Sequence, residues 1–159
     1  MFKTVNNGTL PTKGSKFSAC IDVYANENIT IKSGETKLVP LGIQIDLDGI
    51  RSIIIGEETS KKLGGILVDE FMATHYIRLM IRSSLAVKGL MLGNGVGIID
   101  LDYKDEIKMI VHNTSDDYTI KRSDRIGQVM LQEHKTYLMG IGTKAERLGG
   151  FGSTGENDV

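Results

Sequence analysis

The sequence predicts an all-β domain of the β-sandwich or jelly-roll class, on three observations. Several short runs alternate apolar and polar residues with a period of two, which is typical of half-buried strands. The one helix-like stretch near the middle, residues 84–89, is short. Glycine makes up 19 of the 159 residues, above the usual share of about 7%. Many short strands with few helices favour packed antiparallel sheets.

The strand candidates follow one another along most of the chain. The run 42–47 alternates most cleanly, and Ser33-Gly34 marks a turn between the first two candidates. In chain order the predicted strands are residues 29–32, 36–39, 42–47, 75–81, 106–112, 118–121 and 126–138.

Composition excludes several function classes. The length fits one domain with a full-sized core, and a net charge of −1 argues against a general nucleic-acid binder. Cys20 is the only cysteine, which excludes an internal disulfide and a cysteine-cluster zinc site and suits a reducing compartment. No apolar run reaches membrane-spanning length, and no signal-peptide pattern is present. We therefore expect a cytoplasmic protein (in the host cytoplasm if viral) with neither nucleic-acid nor membrane partners.

The most informative segment is residues 93–103, which read Gly-Asn-Gly-Val-Gly-Ile-Ile-Asp-Leu-Asp-Tyr. Glycines let the backbone approach a flat or charged ligand, and an amide can read a base edge with one donor group and one acceptor. A carboxylate just beyond can hold a water as general base, and an aromatic ring offers a flat apolar wall. Few purely structural segments need all four features together.

This segment resembles the third motif of the trimeric dUTPases, G-x-I-D-x-D-Y-x-G-E. The other four family motifs have counterparts in family order from residue 18 to residue 155. The stretches similar to S-A-G-x-D-L-x-A, P-R-S-S-L-A, G-D-R-I-A-Q and the glycine-rich fifth motif are residues 18–25, 82–86, 123–128 and 149–155.

The resemblance implies a distorted jelly roll that works as a homotrimer with shared active sites, with a C-terminal tail that is swapped or acts as a lid. It implies hydrolysis of dUTP to dUMP and pyrophosphate, by attack of water on the α-phosphate with Mg²⁺ as cofactor. We expect one domain over residues 1–144, carrying an insertion at about 50–74, and a flexible glycine-rich arm over 145–159.

Within the third motif, the resemblance gives Asp100 the role of positioning and deprotonating the attacking water. Uracil would be read by Asn94 and by the backbone around Gly95, Gly97 and Ile99, where glycine permits close approach. A turn residue in positive φ is the structural alternative for Asn94.

The sugar and the phosphate chain have their own expected contacts. Tyr103 would lie under the deoxyribose and leave no room for a 2′-hydroxyl. Arg82 offers a planar fork to phosphate oxygens, and Ser83 and Gln128 can each donate one hydrogen bond. Ser84 stands at the start of the helix-like stretch, where free N–H groups favour anions.

The chain departs from the family pattern at several positions beside the expected metal contact. Asp22 is expected to reach the Mg²⁺ shell through water; its structural alternative is an interface or turn carboxylate. Cys20 and Ile81 replace a Gly and a Pro of the motifs, and Asp105 replaces a Gly, so the turn there must differ or be strained. Arg125 is predicted to serve structure or the trimer interface.

The glycine-rich tail is expected to order over bound nucleotide as a lid. Phe151 would stack on uracil, while Gly152, Ser153 and Thr154 would contact the β- and γ-phosphates. Arg147 would add charge to the γ-phosphate, although the spacing to Phe151 is one residue shorter than in the commonest family pattern.

The insertion does not fit the family core. Its apolar runs, 53–55 and 66–68, predict an extra β-hairpin with residues 57–62 as polar tip. It is predicted to be a surface elaboration that packs on the sandwich, and a docking arm for a protein partner or a lid near the site are the alternatives. Three histidines outside all motifs are predicted to be surface or strand residues: His75, His112 and His134.

Two other functions compete with dUTP hydrolysis. A dCTP deaminase would share the fold, but Leu101-Asp102-Tyr103 after Asp100 and the phenylalanine in the tail favour dUTP hydrolysis. The second is a nucleotide-sensing regulator that binds a partner through the insertion, which is an analogy with some viral relatives.

Overall fold

The computed structural model describes residues 1–56 and 61–140, apart from the side chains of residues 61–63. Within these ranges it has twelve strands, three α-helices and a short 3₁₀ helix at Thr136–Met139. The strands are β1 (Phe2–Thr4), β2 (Thr12–Lys13), β3 (Ile21–Tyr24), β4 (Ile29–Ile31), β5 (Thr36–Pro40), β6 (Ile43–Ile45), β7 (His75–Ile81), β8 (Leu90–Leu92), β9 (Gly97–Asp100), β10 (Lys108–Asn113), β11 (Tyr118–Ile120) and β12 (Arg125–Glu133). The helices are α1 (Leu47–Ile55), α2 (Lys61–Thr74) and α3 (Ser83–Ala86).

The strands of the described residues pair antiparallel and form two main sheets. One sheet has five strands in the order β2-β3-β12-β7-β9, and the other has three in the order β5-β10-β8. The pairs β1–β6 and β11–β4 complete the arrangement. Buried apolar side chains from both sheets, among them Leu79 on β7, Val129 on β12 and Met109 on β10, join one core. This architecture agrees with the predicted sandwich.

The period-two pattern predicted strands well where one face of a sheet is buried. Buried residues alternate with half-buried ones along the whole of β10, and β7 has the predicted bounds. The run predicted over 126–138 is wrong at its end, because β12 stops at Glu133 and the 3₁₀ helix follows. Strands β1, β2, β3, β8 and β9 were not predicted; each has two to four residues, too few for a period to stand out.

The insertion forms two helices, so the prediction of a β-hairpin is wrong. On α1, Leu47, Ile50 and Ile54 have the i, i+3, i+7 spacing of a helix face, and all three belong to or pack against the core. Ile53 lies on the opposite face and is 72% exposed. The run of isoleucines concealed this helical period, because three β-branched residues in a row also favour a strand.

The second helix packs against the first and leads into the large sheet. Val68 is buried, and Phe71 packs against the core. Gly64 faces α1 so closely that an added Cβ would lie 2.9 Å from Cγ1 of Ile55, so glycine permits this close approach. None of the helices in the described ranges is long and apolar enough to cross a membrane.

Candidate active site

The connection between β8 and β9 crosses from the three-stranded sheet to the five-stranded sheet. The turn is held by hydrogen bonds from the N–H of Gly95 to the carbonyl of Leu92 (3.0 Å) and from the N–H of Val96 to the carbonyl of Asn94 (2.8 Å). Gly95 has a φ of +73°, a conformation that favours glycine. Asn94 does not have positive φ, so the backbone gives no structural reason for an amide at this position.

A cavity of about 210 Å³ opens beside this β8–β9 connection. Such a volume lies below the roughly 300–1,000 Å³ of sites for drug-sized ligands, so it suits a group built on a single ring. Much of its wall is apolar, and the Asn94 amide supplies a polar group. The lining residues are Leu79, Leu92, Asn94, Gly97, Ile98, Ile99, Tyr103, Ile107, Lys108 and Ile110.

A turn after β9 returns the chain toward this cavity. The N–H of Tyr103 donates to the carbonyl of Asp100 (3.1 Å), and the Tyr103 side chain is buried, with 9% exposure. Asp105, which replaces a family glycine two residues later, does not have positive φ. The turn therefore accepts an aspartate there without the strain that the sequence suggested.

The cavity brings together four of the residues predicted to contact base and sugar: Asn94, Gly97, Ile99 and Tyr103. Gly95 lies in the turn of the β8–β9 connection. Asp100 is next to Ile99 on β9, and because successive strand side chains point to opposite faces, it lies on the other side of the strand.

Asp100 lines a second cavity, of about 310 Å³, with Asp102, His75 and His134. Met72 and Ala73 from the last turn of α2 also line it, so the insertion reaches the predicted catalytic carboxylate. The motifs gave no signal for this, because the neighbourhood arises from the pairing of β7 with β9.

The two histidines beside Asp100 are held by different contacts. The Nδ1 of His75 lies 2.9 Å from the hydroxyl of Thr74 and 3.1 Å from the carbonyl of Phe71. Its ring stacks on Phe71, with centroids 4.3 Å apart. The Nδ1 of His134 accepts from the N–H of Thr136 (3.3 Å). Both sit on or just after strands, as predicted, and they also line the cavity that contains Asp100.

The predicted phosphate and metal contacts form a separate cluster on the five-stranded sheet. Asp22 on β3 lies opposite Gln128 on β12, and its side chain is 13% exposed. Its Oδ1 is 3.4 Å from Nε of Arg82 and its Oδ2 is 3.3 Å from Nη1 of Arg125. These four residues line a cavity of about 400 Å³ together with Cys20. Asp22 thus holds two guanidinium groups in place.

The residues after Arg82 divide between two positions. Ser83 is the first residue of α3, and it lines neither the Asp22 cavity nor the neighbouring one. Ser84 lines that neighbouring cavity, of about 500 Å³, together with Arg82 and Arg125. The predicted tail contacts lie outside the described residues: Arg147, Phe151, Gly152, Ser153 and Thr154. The expected domain boundary at 144/145 also lies there.

The Asp100 end and the Arg82 end of the site are far apart within one chain. Asp100 pairs with Tyr76 on β7, whereas Arg82 directly follows the last residue of that strand. Arg82 is six positions beyond Tyr76, and at about 3.3 Å per residue this is roughly 20 Å. A single chain therefore does not bring the predicted water-activating carboxylate next to the predicted phosphate contacts.

An antiparallel jelly roll with a ring-sized pocket and a separate cationic cluster defines a β protein suited to binding a phosphorylated base. The family model described as dUTPase matches residues 6–73 and 70–155. This chain belongs to the dUTPase family, as its five motifs suggested.

Curated relatives and solved structures agree with this assignment. The deoxyuridine 5'-triphosphate nucleotidohydrolase of Debaryomyces hansenii is 33% identical, over 99% of this chain and 87% of that protein. The Rickettsia felis protein of the same name is 35% identical, over 94% and 90%. The dUTPase structure from Streptococcus mutans has a TM-score of 0.61 at 23% identity, over 83% of this chain and 94% of the other. These likenesses confirm the jelly-roll fold.

A second similar structure is relevant to the insertion. The dUTPase from phage phi11 of S. aureus has a TM-score of 0.62 at 14% identity, over 96% of this chain and 97% of the other. That structure visualises a species-specific insert of the phage protein. At this identity the likeness shows the fold alone.

Proposed function

We propose that this chain hydrolyses dUTP to dUMP and pyrophosphate. The observation that carries the proposal is the cavity in which Asn94, Gly97, Ile99 and Tyr103 meet, with Asp100 one residue further along the same strand. Family membership supports the same activity, because the similar curated proteins are named deoxyuridine 5'-triphosphate nucleotidohydrolases.

The pocket beside the β8–β9 connection would select both base and sugar. Uracil would be read by the Asn94 amide and by neighbouring backbone groups, and cytosine presents the reverse donor and acceptor pattern at its 4-position. Each buried polar group left unpaired costs about 1–3 kcal/mol, so two mismatches discriminate strongly. The buried ring of Tyr103 would pack against the deoxyribose, where a 2′-hydroxyl would have neither space nor a partner.

Asp100 would accept a proton from a water that attacks the α-phosphorus in line. The new bond joins the water oxygen to phosphorus, the bond from phosphorus to the bridging oxygen breaks, and pyrophosphate leaves. Arg82 and Gln128 would neutralise and orient the phosphates, with Ser83 adding a hydroxyl donor. The fixed Asp22–Arg82 contact would keep the guanidinium ready for this role.

The donor set fits Mg²⁺ held mainly by substrate. No group of three or more His, Cys, Asp or Glu able to hold a metal occurs among the described residues, which argues against a cage made by protein alone. Mg²⁺ commonly keeps several waters and takes phosphate oxygens as ligands. Asp22 would hold it through a water, because each carboxylate oxygen keeps a lone pair beyond its arginine contact. The ion would supply charge neutralisation on the phosphates.

We propose a homotrimer with active sites shared between subunits. The distance of roughly 20 Å along β7 supports it, since a second copy would have to bring its Arg82 cluster to Asp100. Exposure on the five-stranded sheet also supports it: Ile98, which pairs with Arg78 across the strands, is 54% exposed. A neighbouring copy on this face would cover Ile98.

The glycine-rich tail is proposed as a lid that orders over bound nucleotide. The support is its sequence alone: so much glycine makes ordering costly unless a ligand compensates, and Phe151 offers a ring for uracil. A chain that ends before residue 149 is expected to keep its trimer and lose most turnover, measured by pyrophosphate release and gel filtration. Full activity of that chain would contradict the lid role.

The test of the function is a side-by-side assay with dUTP and dCTP. We expect pyrophosphate and dUMP from dUTP, and no ammonia from dCTP. Ammonia release from dCTP would favour a deaminase, an alternative that the dUTPase relatives do not favour.

A protein partner at the insertion stays a prediction. The observation in its favour is that Ile53 and Ile66, on α1 and α2, are 72% and 56% exposed. Staphylococcal phage dUTPases of similar fold are described as controlling transfer of virulence genes, which is a statement about those proteins. Removal of residues 56–65 is expected to leave dUTP turnover intact, and lost turnover would instead make the insertion part of the enzyme.

A further inference from the structure

The cavity next to the Asp22 cavity has three cationic side chains in its lining. It measures about 500 Å³, and it shares Arg82 and Arg125 with the Asp22 cavity. Lys88, two residues beyond the second motif, also lines it. The two cavities therefore adjoin at the two arginines.

The charges in this cavity do not balance. Asp22 engages both arginines from the far side. Asp124 is the one carboxylate in the described lining, and its Oδ2 accepts from the N–H of Lys121 (2.8 Å). With Asp22 included, two carboxylates face three cationic side chains, Arg82, Arg125 and Lys88. Such an excess of positive charge in a concave surface attracts an anion.

The Lys88 ammonium is oriented but has no carboxylate partner within the described residues. It donates to the hydroxyl of Tyr118 (3.3 Å) and lies 5.2 Å from the centre of that ring. A ring face and a neutral hydroxyl hold an ammonium in place without neutralising it. Two donor hydrogens remain for a further ligand.

We infer that Lys88 contacts the terminal phosphate of the substrate and the pyrophosphate that leaves, an inference that rests on the proposed hydrolysis of dUTP. The phosphates nearest Asp100 would meet Arg82 and Gln128 in the Asp22 cavity, and the end of the chain would extend past the arginines toward Lys88. The terminal phosphates carry most of the charge, so a preoriented cation contributes most there. Lys88 thereby distinguishes nucleoside triphosphate from the monophosphate product.

Lys88→Gln tests this assignment, with Lys121→Gln as the matched control. Lys121 is also exposed and loses the same charge, but it does not line the cavity. Initial rates would be measured on the full chain with dUTP, with added inorganic pyrophosphate and with added dUMP. For the loss of one charge-assisted hydrogen bond we expect Lys88→Gln to raise the KM for dUTP and the inhibition constant of pyrophosphate about tenfold.

The controls separate a phosphate contact from a structural effect. Inhibition by dUMP is expected to stay at the parent value, because dUMP lacks the terminal phosphates, and Lys88→Arg should recover most of the loss. The inference is overturned if Lys88→Gln matches Lys121→Gln in both constants, or if it weakens dUMP and pyrophosphate equally.

Failure of the proposed function would be seen separately. If the parent chain consumes no dUTP, that function fails, and calorimetric titration of the same variants with pyrophosphate decides on Lys88. Weaker binding by Lys88→Gln alone supports the contact, and equal binding overturns it.

Discussion

The pocket beside the β8–β9 connection and the cationic cavities solve different recognition problems in one small protein. The pocket at Asn94 and Tyr103 is small and largely apolar, and its described lining comes from one chain. The cavities around Arg82 are about twice as large, with Arg125 still 54% exposed. Discrimination between similar bases needs a dehydrated site in which every unpaired group is costly. Phosphates are distinguished by charge, which acts over longer distances, so their site can stay open and be completed by other chains.

The largest expected effect tests whether Asp100 belongs functionally with the pocket beside the β8–β9 connection. Asp100→Asn keeps size and hydrogen bonding but removes the base, so turnover is expected to fall about 10²–10⁴-fold, the range for general acid–base catalysis. Binding of a non-cleavable dUTP analogue, measured by calorimetry, should be nearly unchanged because other residues line the pocket. Asp105→Asn is the control, an exposed carboxylate on the following turn. Turnover at the parent rate would show that another group activates the water.

Mixing two inactive variants tests whether one active site takes Asp100 and Arg82 from different chains. Asp100→Asn on β9 and Arg82→Ala just after β7 remove groups that lie near opposite ends of β7, and each variant alone should be nearly inactive. If sites are shared between neighbouring subunits, random mixed trimers of the two should recover about a quarter of the parent activity, because each site draws its two groups independently from two chains. If each chain made its own site, every site would carry one defect. Co-refolding with gel filtration to verify assembly measures the recovery, and none would contradict a shared site.

The sequence predicted these two regions unequally. The chemistry of residues 93–103 could be predicted because these residues are consecutive in the chain. Period-two patterns on strands such as β10 predicted the sandwich. The Asp22–Arg82–Arg125 contacts join residues about 60 and 100 positions apart, which only strand pairing makes neighbours. The histidines beside Asp100 were read without a role for the same reason. The helices of the insertion were missed because their isoleucine run favours a strand locally.

Gly97→Ala tests how tightly the pocket is built, with a moderate expected effect. An added Cβ would lie 2.9 Å from Cβ of Leu79, on the paired strand that also lines the pocket. A Cβ atom next to backbone has little freedom to move, so we expect a loss of about 1–3 kcal/mol in the free energy of unfolding. The KM for dUTP should rise more than kcat falls, because the substitution narrows the pocket and leaves Asp100 in place. Thermal unfolding and initial rates measure both, and unchanged values would mean that the strands separate easily.

Gly65→Ala is the matched substitution outside both regions and has the smallest expected effect. Gly65 lies on α2 with nothing within 4 Å of an added Cβ, so alanine should raise the free energy of unfolding by about 0.5–1 kcal/mol through its better helix propensity. Turnover should match the parent. Opposite changes in the free energy of unfolding for Gly97→Ala and Gly65→Ala would show that the glycine on β9 serves close packing, whereas the glycine in the insertion is merely tolerated. Destabilisation of assembled protein by Gly65→Ala would instead indicate that another surface packs closely against this helix, and the insertion would then have a structural partner.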